Sequence, residues 1–107
     1  MMMPLRLLPL LFAPMVAAAQ PAPPVAVGTP YAAARQALLG AGWQPLRVPD
    51  ADPCGARDSR CQGRPEMVAC SGTGTAPCIF AWRRGATEIE IVTTGPDTIV
   101  AATRPRR

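Results

Sequence analysis

The sequence contains no lysine, histidine or asparagine, and all eleven of its basic residues are arginine. Without histidine or lysine the usual general bases and amine nucleophiles are missing. Acid–base work is left to seven carboxylates, and nucleophilic work to four cysteines. Aromatic residues are scarce, with two Trp, two Phe and one Tyr. Of the 88 residues after position 19, only 18 are large and apolar, which is little core for a stable fold. The cysteines are spaced with six, eight and seven residues between them. No C-x-x-C redox pair occurs, and structural zinc ligands normally sit two to four residues apart, so neither a metal nor a cofactor is expected. The formal net charge of +4 is too small to point to nucleic acid.

What is present begins with an export pattern. Residues 1–19 fit a secretory signal peptide: Arg6 gives the positive start, Leu7 to Val16 the apolar stretch, and Ala17-Ala18-Ala19 the cleavage site. The stretch is broken by Pro9 and Pro14 and is shorter than the roughly 20 apolar residues a bilayer requires. No cysteine follows it to carry a lipid. The mature chain is expected to be periplasmic or secreted, with no membrane span after cleavage and a net charge of +3.

Export fixes how the cysteines read. In an oxidising compartment, four of them in a short domain imply two disulfides. The expected pairing is Cys54–Cys61 with Cys70–Cys78. Cys70 ends one candidate strand and Cys78 starts the next, so a hairpin brings them together. Cys54 and Cys61 flank a charged, Gly-containing segment and would staple it.

Residues 20–28 form a Pro-rich leader, 29–103 a stapled domain and 104–107 a basic tail. Thr29 and Pro30 suit a helix start, as N-cap and first helical residue. The helix should run to about Leu39 with Tyr31, Ala34, Leu38 and Ala41 inward, and end at Gly40 or Gly42. Residues 43–48 suggest a short strand held to an edge by Pro45, and 49–66 a surface loop. Strands are expected at 67–70, 78–84, 87–93 and 98–102. The fold class is α+β, one helix packed on a three- or four-stranded antiparallel meander. Its core should be Tyr31, Ala34, Leu38, Trp43, Leu46, Phe80, Trp82, Ile89, Ile91 and part of 99–101.

Ala34-Arg35, Leu38 and Gly42-Trp43, within residues 29–48, resemble a stretch of PASTA domains, which implies a helix followed by a strand. A longer similarity joins Pro30 to Pro45, the Cys54 to Cys61 loop, Pro65 to Trp82 and Thr93 to Gly95. In these the chain resembles a family of short exported proteobacterial Cys-containing proteins, uncharacterised in function. That resemblance implies an exported domain and supplies no activity.

Glu88 and Glu90 lie two apart on one strand face, about 7 Å from each other, which is a spacing that paired carboxylates in glycoside hydrolysis use. An alternating strand more simply places both in water. Arginine forks bind carboxylate and phosphate, so Arg57, Arg60, Arg83 and Arg84 are the candidate binding residues. They would serve an envelope protein or an anionic envelope polymer. The exclusive use of Arg also fits a GC-rich coding sequence. The leading expectation is a non-enzymatic envelope protein that acts as a small binding module. The alternative is an inhibitor of a secreted or periplasmic hydrolase presenting loop 54–61, and a third is a small hydrolase using Glu88 and Glu90. A rigid, exposed loop tip would favour the inhibitor.

Overall fold

A computed structural model describes residues 2–4 and 23–107. Most of the expected export signal and the start of the leader lie outside the described residues. Helix α1 (Tyr31–Gly40) is followed by β1 (Gln44–Pro45), β2 (Met67–Cys70), β3 (Cys78–Arg84), β4 (Thr87–Thr94) and β5 (Ile99–Pro105). All pairings are antiparallel. β2 to β5 form the expected meander. β1 and β2 share one edge of β3, β1 opposite Trp82 and Arg83 and β2 opposite Cys78 to Phe80. The sheet is therefore four ranks wide, with five strands. Among the described residues no helix is long and apolar enough to cross a membrane.

The helix start differs from expectation. Pro30 precedes the first helical residue, with no side-chain cap. Thr29 is instead extended: Gly28 N–H donates to Val100 O, Val100 N–H to Thr29 O, and Tyr31 N–H to Thr98 O, at 2.8–2.9 Å. Sheet pairing along β5 has displaced the local cap, so the helix hangs from the sheet edge. Its other end is closed by Gly42 in the left-handed region (φ +85°). Gly42 N–H reaches Leu39 O and Trp43 N–H reaches Leu38 O, a Schellman closure that folds Trp43 back into the core.

The core lies between α1 and one sheet face. It holds Tyr31, Ala34, Leu38, Trp43, Phe80, Trp82, Ile89, Ile91 and Val100, as expected. Leu46 departs from expectation, being only half-buried. Pairing Pro45 with Trp82 sends Pro45 to the core face and its neighbour to the other, while Val48 is buried instead. Residues 49–66 are not simply surface, because Cys61 and Glu66 are buried. The tail also differs: Arg104 and Pro105 belong to β5, and Arg106 N–H donates to Glu88 O.

Glu66 is fully buried and joins three parts of the chain. Tyr31 Oη donates to its Oε2 at 2.7 Å, and Arg35 Nε and Nη2 donate to Oε2 and Oε1 at 2.8 and 3.2 Å. Trp82 Nε1 donates to Tyr31 Oη at 3.0 Å. Tyr31 stacks on Phe80 with ring centroids 3.9 Å apart, and the Arg64 guanidinium covers the Tyr31 ring at 4.7 Å.

Two predictions follow from this packing. Trp82→Ala removes the largest fully buried side chain and an N–H that Tyr31 accepts, and should cost about 3–5 kcal/mol, measured by denaturant unfolding. The second concerns alkali. Burial, and next the Glu66 carboxylate, push the Tyr31 hydroxyl well above the usual tyrosine range. An unfolded tyrosine loses its proton near pH ~10, while folded Tyr31 keeps it. Stability is therefore full below that pH and falls above it, by at most about 1.4 kcal/mol per pH unit. Tyr31 is the sole tyrosine, lysine is absent and the cysteines are all bonded. Tyr31→Phe should accordingly abolish the alkaline slope between pH ~10 and ~12; a slope unchanged in the variant would contradict the assignment.

Candidate functional site: the braced loop end

The antiparallel order carries three connections to one end of the sheet. Residues 71–77 join β2 to β3 and residues 95–98 join β4 to β5. Cys78 pairs with Thr93, so the two connections are neighbours, and Gly95 N–H donates to Thr75 O at 2.8 Å. The third segment, 54–61, comes from the long connection between β1 and β2.

Loop 54–61 is fixed in place from several sides. The Cys54–Cys61 and Cys70–Cys78 disulfides pair as expected, with Cα separations of 5.8 and 4.1 Å. Arg60 is the main brace. Its Nε and Nη2 donate to the two Asp58 carboxylate oxygens at 2.8 and 2.7 Å, and its Nη1 donates to Ser71 O and Ala76 O at 2.7 and 3.2 Å. The same guanidinium holds the Asp58 carboxyl below the usual carboxylate range. Arg64 Nη1 donates to Arg60 O at 2.7 Å and Thr98 Oγ1 at 3.4 Å, which ties the loop to the 95–98 turn. Gly55, Ala56, Arg57 and Ser59 remain exposed at the tip, beside exposed 72–75 and Pro96-Asp97. Arg57 and Arg60 line a hollow of about 270 Å³ together with Ser59, Gly72, Ala76 and Pro96. A larger groove of about 800 Å³ runs between 47–54 and 61–67, over Val48, Met67 and the Cys54–Cys61 bridge.

The four arginines singled out from sequence do not converge. Arg57 and Arg60 lie at the loop end, whereas Arg83 and Arg84 end β3 at the opposite end of the sheet. Of the pair at the loop end, Arg57 projects and Arg60 is spent on bracing. Arg84 sits over the Trp43 ring at 4.5 Å and donates to Ala41 O at 3.3 Å. Arg83 is exposed.

Glu88 and Glu90 are drawn into ion pairs. Arg104 Nε meets Glu90 at 2.9 Å, and Arg106 reaches Glu90 at 3.1 Å and Glu88 at 3.4 Å. Asp58, Cys61 and Cys70 have the spacing of a metal site, but a disulfide sulfur is not the thiolate that metals bind. The roles of Glu66, Arg60 and Arg64 were not readable from spacing. A buried Tyr hydroxyl and Trp N–H do signal a needed acceptor, without saying which carboxylate supplies it.

No family model, curated protein or solved structure matches this chain.

Arg60→Ala should release the Ser71 and Ala76 carbonyls and the Asp58 carboxylate together. Amides of 55–60 and 71–77 should then exchange with deuterium about tenfold faster, the equivalent of roughly one net hydrogen bond, while those of β3 and β4 stay protected. Equal acceleration throughout the sheet would show that the brace serves the whole fold instead.

Proposed function

We propose that this chain is an exported, non-enzymatic binding module that meets a partner protein with its braced loop end. The observation carrying this reading is the concentration of bracing at one place. Two disulfides and the four-point Arg60 clamp hold loops whose tips are exposed. A surface ordered before contact loses less conformational entropy on binding. Export is supported by the disulfides and by the signal pattern of residues 1–19. A binding role rather than a chemical one is supported by the state of the reactive groups. Of the seven carboxylates, Glu66, Glu88, Glu90 and Asp58 are each held by arginine, and the four cysteines are bonded in two pairs.

A second reading, an inhibitor of a secreted hydrolase, is favoured by Arg57 at the exposed tip of a disulfide-closed loop. The backbone there is a tight turn, with Asp58 N–H donating to Gly55 O at 2.9 Å. Arg57 would thus plug a site as a side chain, not as an extended substrate-like strand.

A photo-crosslinking residue placed at Arg57, Thr73 or Leu39 and exposed to envelope extract tests the surface. The expected result is one shared partner captured from 57 and 73 and not from Leu39, which is exposed on the helix. Capture from Leu39 alone, or from none of the three, would reject the loop end. Inhibition of a hydrolase that Arg57→Ala abolishes would select the second reading.

A further inference from the structure

The two disulfides are neighbours as well as staples. Cys61 Sγ, Cys70 Sγ and a carboxylate oxygen of Asp58 all lie within 4.8 Å of one another. The bridges differ in how they meet solvent. Cys54 and Cys70 are partly exposed, whereas Cys61 and Cys78 are buried. Cys54 is the more exposed cysteine of its bridge; its Sγ lies against Asp58 O at 3.5 Å and Gly55 O at 3.6 Å and accepts from the exposed Gln62 Nε2 at 3.5 Å.

We propose that Cys54 is a site of attack for small-molecule thiols, and that opening its bridge starts an internal exchange that moves the second disulfide to Cys61–Cys70. An external thiolate adds to Cys54 Sγ, and the Cys54–Cys61 bond breaks with its electron pair leaving on Cys61. The Cys61 thiolate then attacks the neighbouring Cys70 Sγ, and the Cys70–Cys78 bond breaks in turn. Cys78 takes up the proton that the external thiol gave up. Two disulfides and one thiol exist before and after, so no oxidant or reductant is consumed. A dithiol reagent would go one step further, releasing Cys54 as a thiol and leaving as its own cyclic disulfide.

Cys61, buried beside the Asp58 carboxylate, leaves slowly in the first step, and the environment of Cys78 sets the speed of the second. The Cys78 side chain is fully buried in the core, which disfavours a thiolate. It is a slow leaving group, and once protonated a poor attacker, so the exchanged form both builds up and reverts slowly. Its structural consequence is local. The tip 54–60 loses its closure while 61 becomes tied to β2, so the exposed loop is released without loss of a covalent link to the sheet.

The test treats the mature, fully oxidised chain with glutathione under native conditions, blocks free thiols with a maleimide, and maps the peptides without reduction. Cleavage after Arg60 and Glu66 separates Cys54, Cys61 and a peptide that carries both Cys70 and Cys78, and fragment ions from within that peptide tell Cys70 from Cys78. The expected product carries glutathione on Cys54, a Cys61–Cys70 link and maleimide on Cys78. Glutathione on Cys54 with maleimide on Cys61 and an intact Cys70–Cys78 bridge would overturn the exchange. Glutathione on Cys70 or Cys78, or on no cysteine, would overturn the site itself. In a Cys70→Ser, Cys78→Ser chain, Cys61 should instead be found with maleimide; the native-chain map decides the matter if that variant does not fold.

Discussion

A single carboxylate inside the protein sets the geometry of everything around it. Glu66 is closed off from solvent, and an ionised carboxylate in such a place is costly unless charge and hydrogen bonds surround it. Tyr31, Arg35 and, one step away, Trp82 supply them. These groups come from the first and second turns of α1 and from the centre of β3. The helix cannot slide along the sheet, and the 61–67 segment cannot lift from it, without stranding an acceptor or a charge. In a core with so few large apolar residues, shape alone leaves such movements cheap. The polar network removes them.

The same logic explains why arginine serves as the mortar of this domain. Arg35, Arg64 and Arg84 each combine donor contacts with an aromatic ring contact, and Arg60, Arg104 and Arg106 turn the planar fork to carboxylates. An ammonium gathers its three donors at one point, while a guanidinium spreads five over a rigid plane and so bridges acceptors that lie apart. Arg60 shows the difference, reaching a carboxylate with one edge and two backbone carbonyls with the other. Basic residues that look from composition like an anion-binding surface are in part spent on internal contacts. Arg60 and Arg64 join loops, Arg35 ties the helix to Glu66, and Arg104 and Arg106 tie the end of the chain to β4. Arg47, Arg57, Arg83 and Arg107 are exposed.

How much of this was legible in the sequence depended on the range of the interaction. The alternation of Cys78, Phe80 and Trp82 and of Ile89 and Ile91 located the strands and their buried face, since period-two patterning is a local property. Gly40 and Gly42 bracketed the helix end for the same reason, and Gly42 is the one in the left-handed region. Thr29 misled because its local capping tendency lost to the sheet hydrogen bonds that Gly28 and Thr29 make with Val100, 71 positions beyond Thr29. Leu46 misled because register, not hydrophobicity, decides which face a residue takes. Glu66 lay in a segment with no periodicity, and nothing local separates a buried carboxylate from six others. Arg104 and Arg106 read as a charged tail because their partners lie across the sheet on β4.

Rigidity is distributed unevenly in consequence, and this bears on function. The far end of β3 and β4 is a tight turn at Gly85, with φ +59°, and needs no further support. The loop end carries both disulfides, the Arg60 clamp, the Arg64 tie and the Gly95–Thr75 hydrogen bond. The disulfides also serve the thin core, since Cys61 and Cys78 belong to it, but the exposed tip residues that the bracing holds contribute little to burial. A loop of this length left unbraced would sample many shapes at small cost to the fold. Holding it in one shape suits the binding role proposed above, in which one contour meets the partner at each encounter. The covalent part of that bracing is also the part open to thiols, so the feature that gives the loop end its definition is the one through which that definition can be withdrawn.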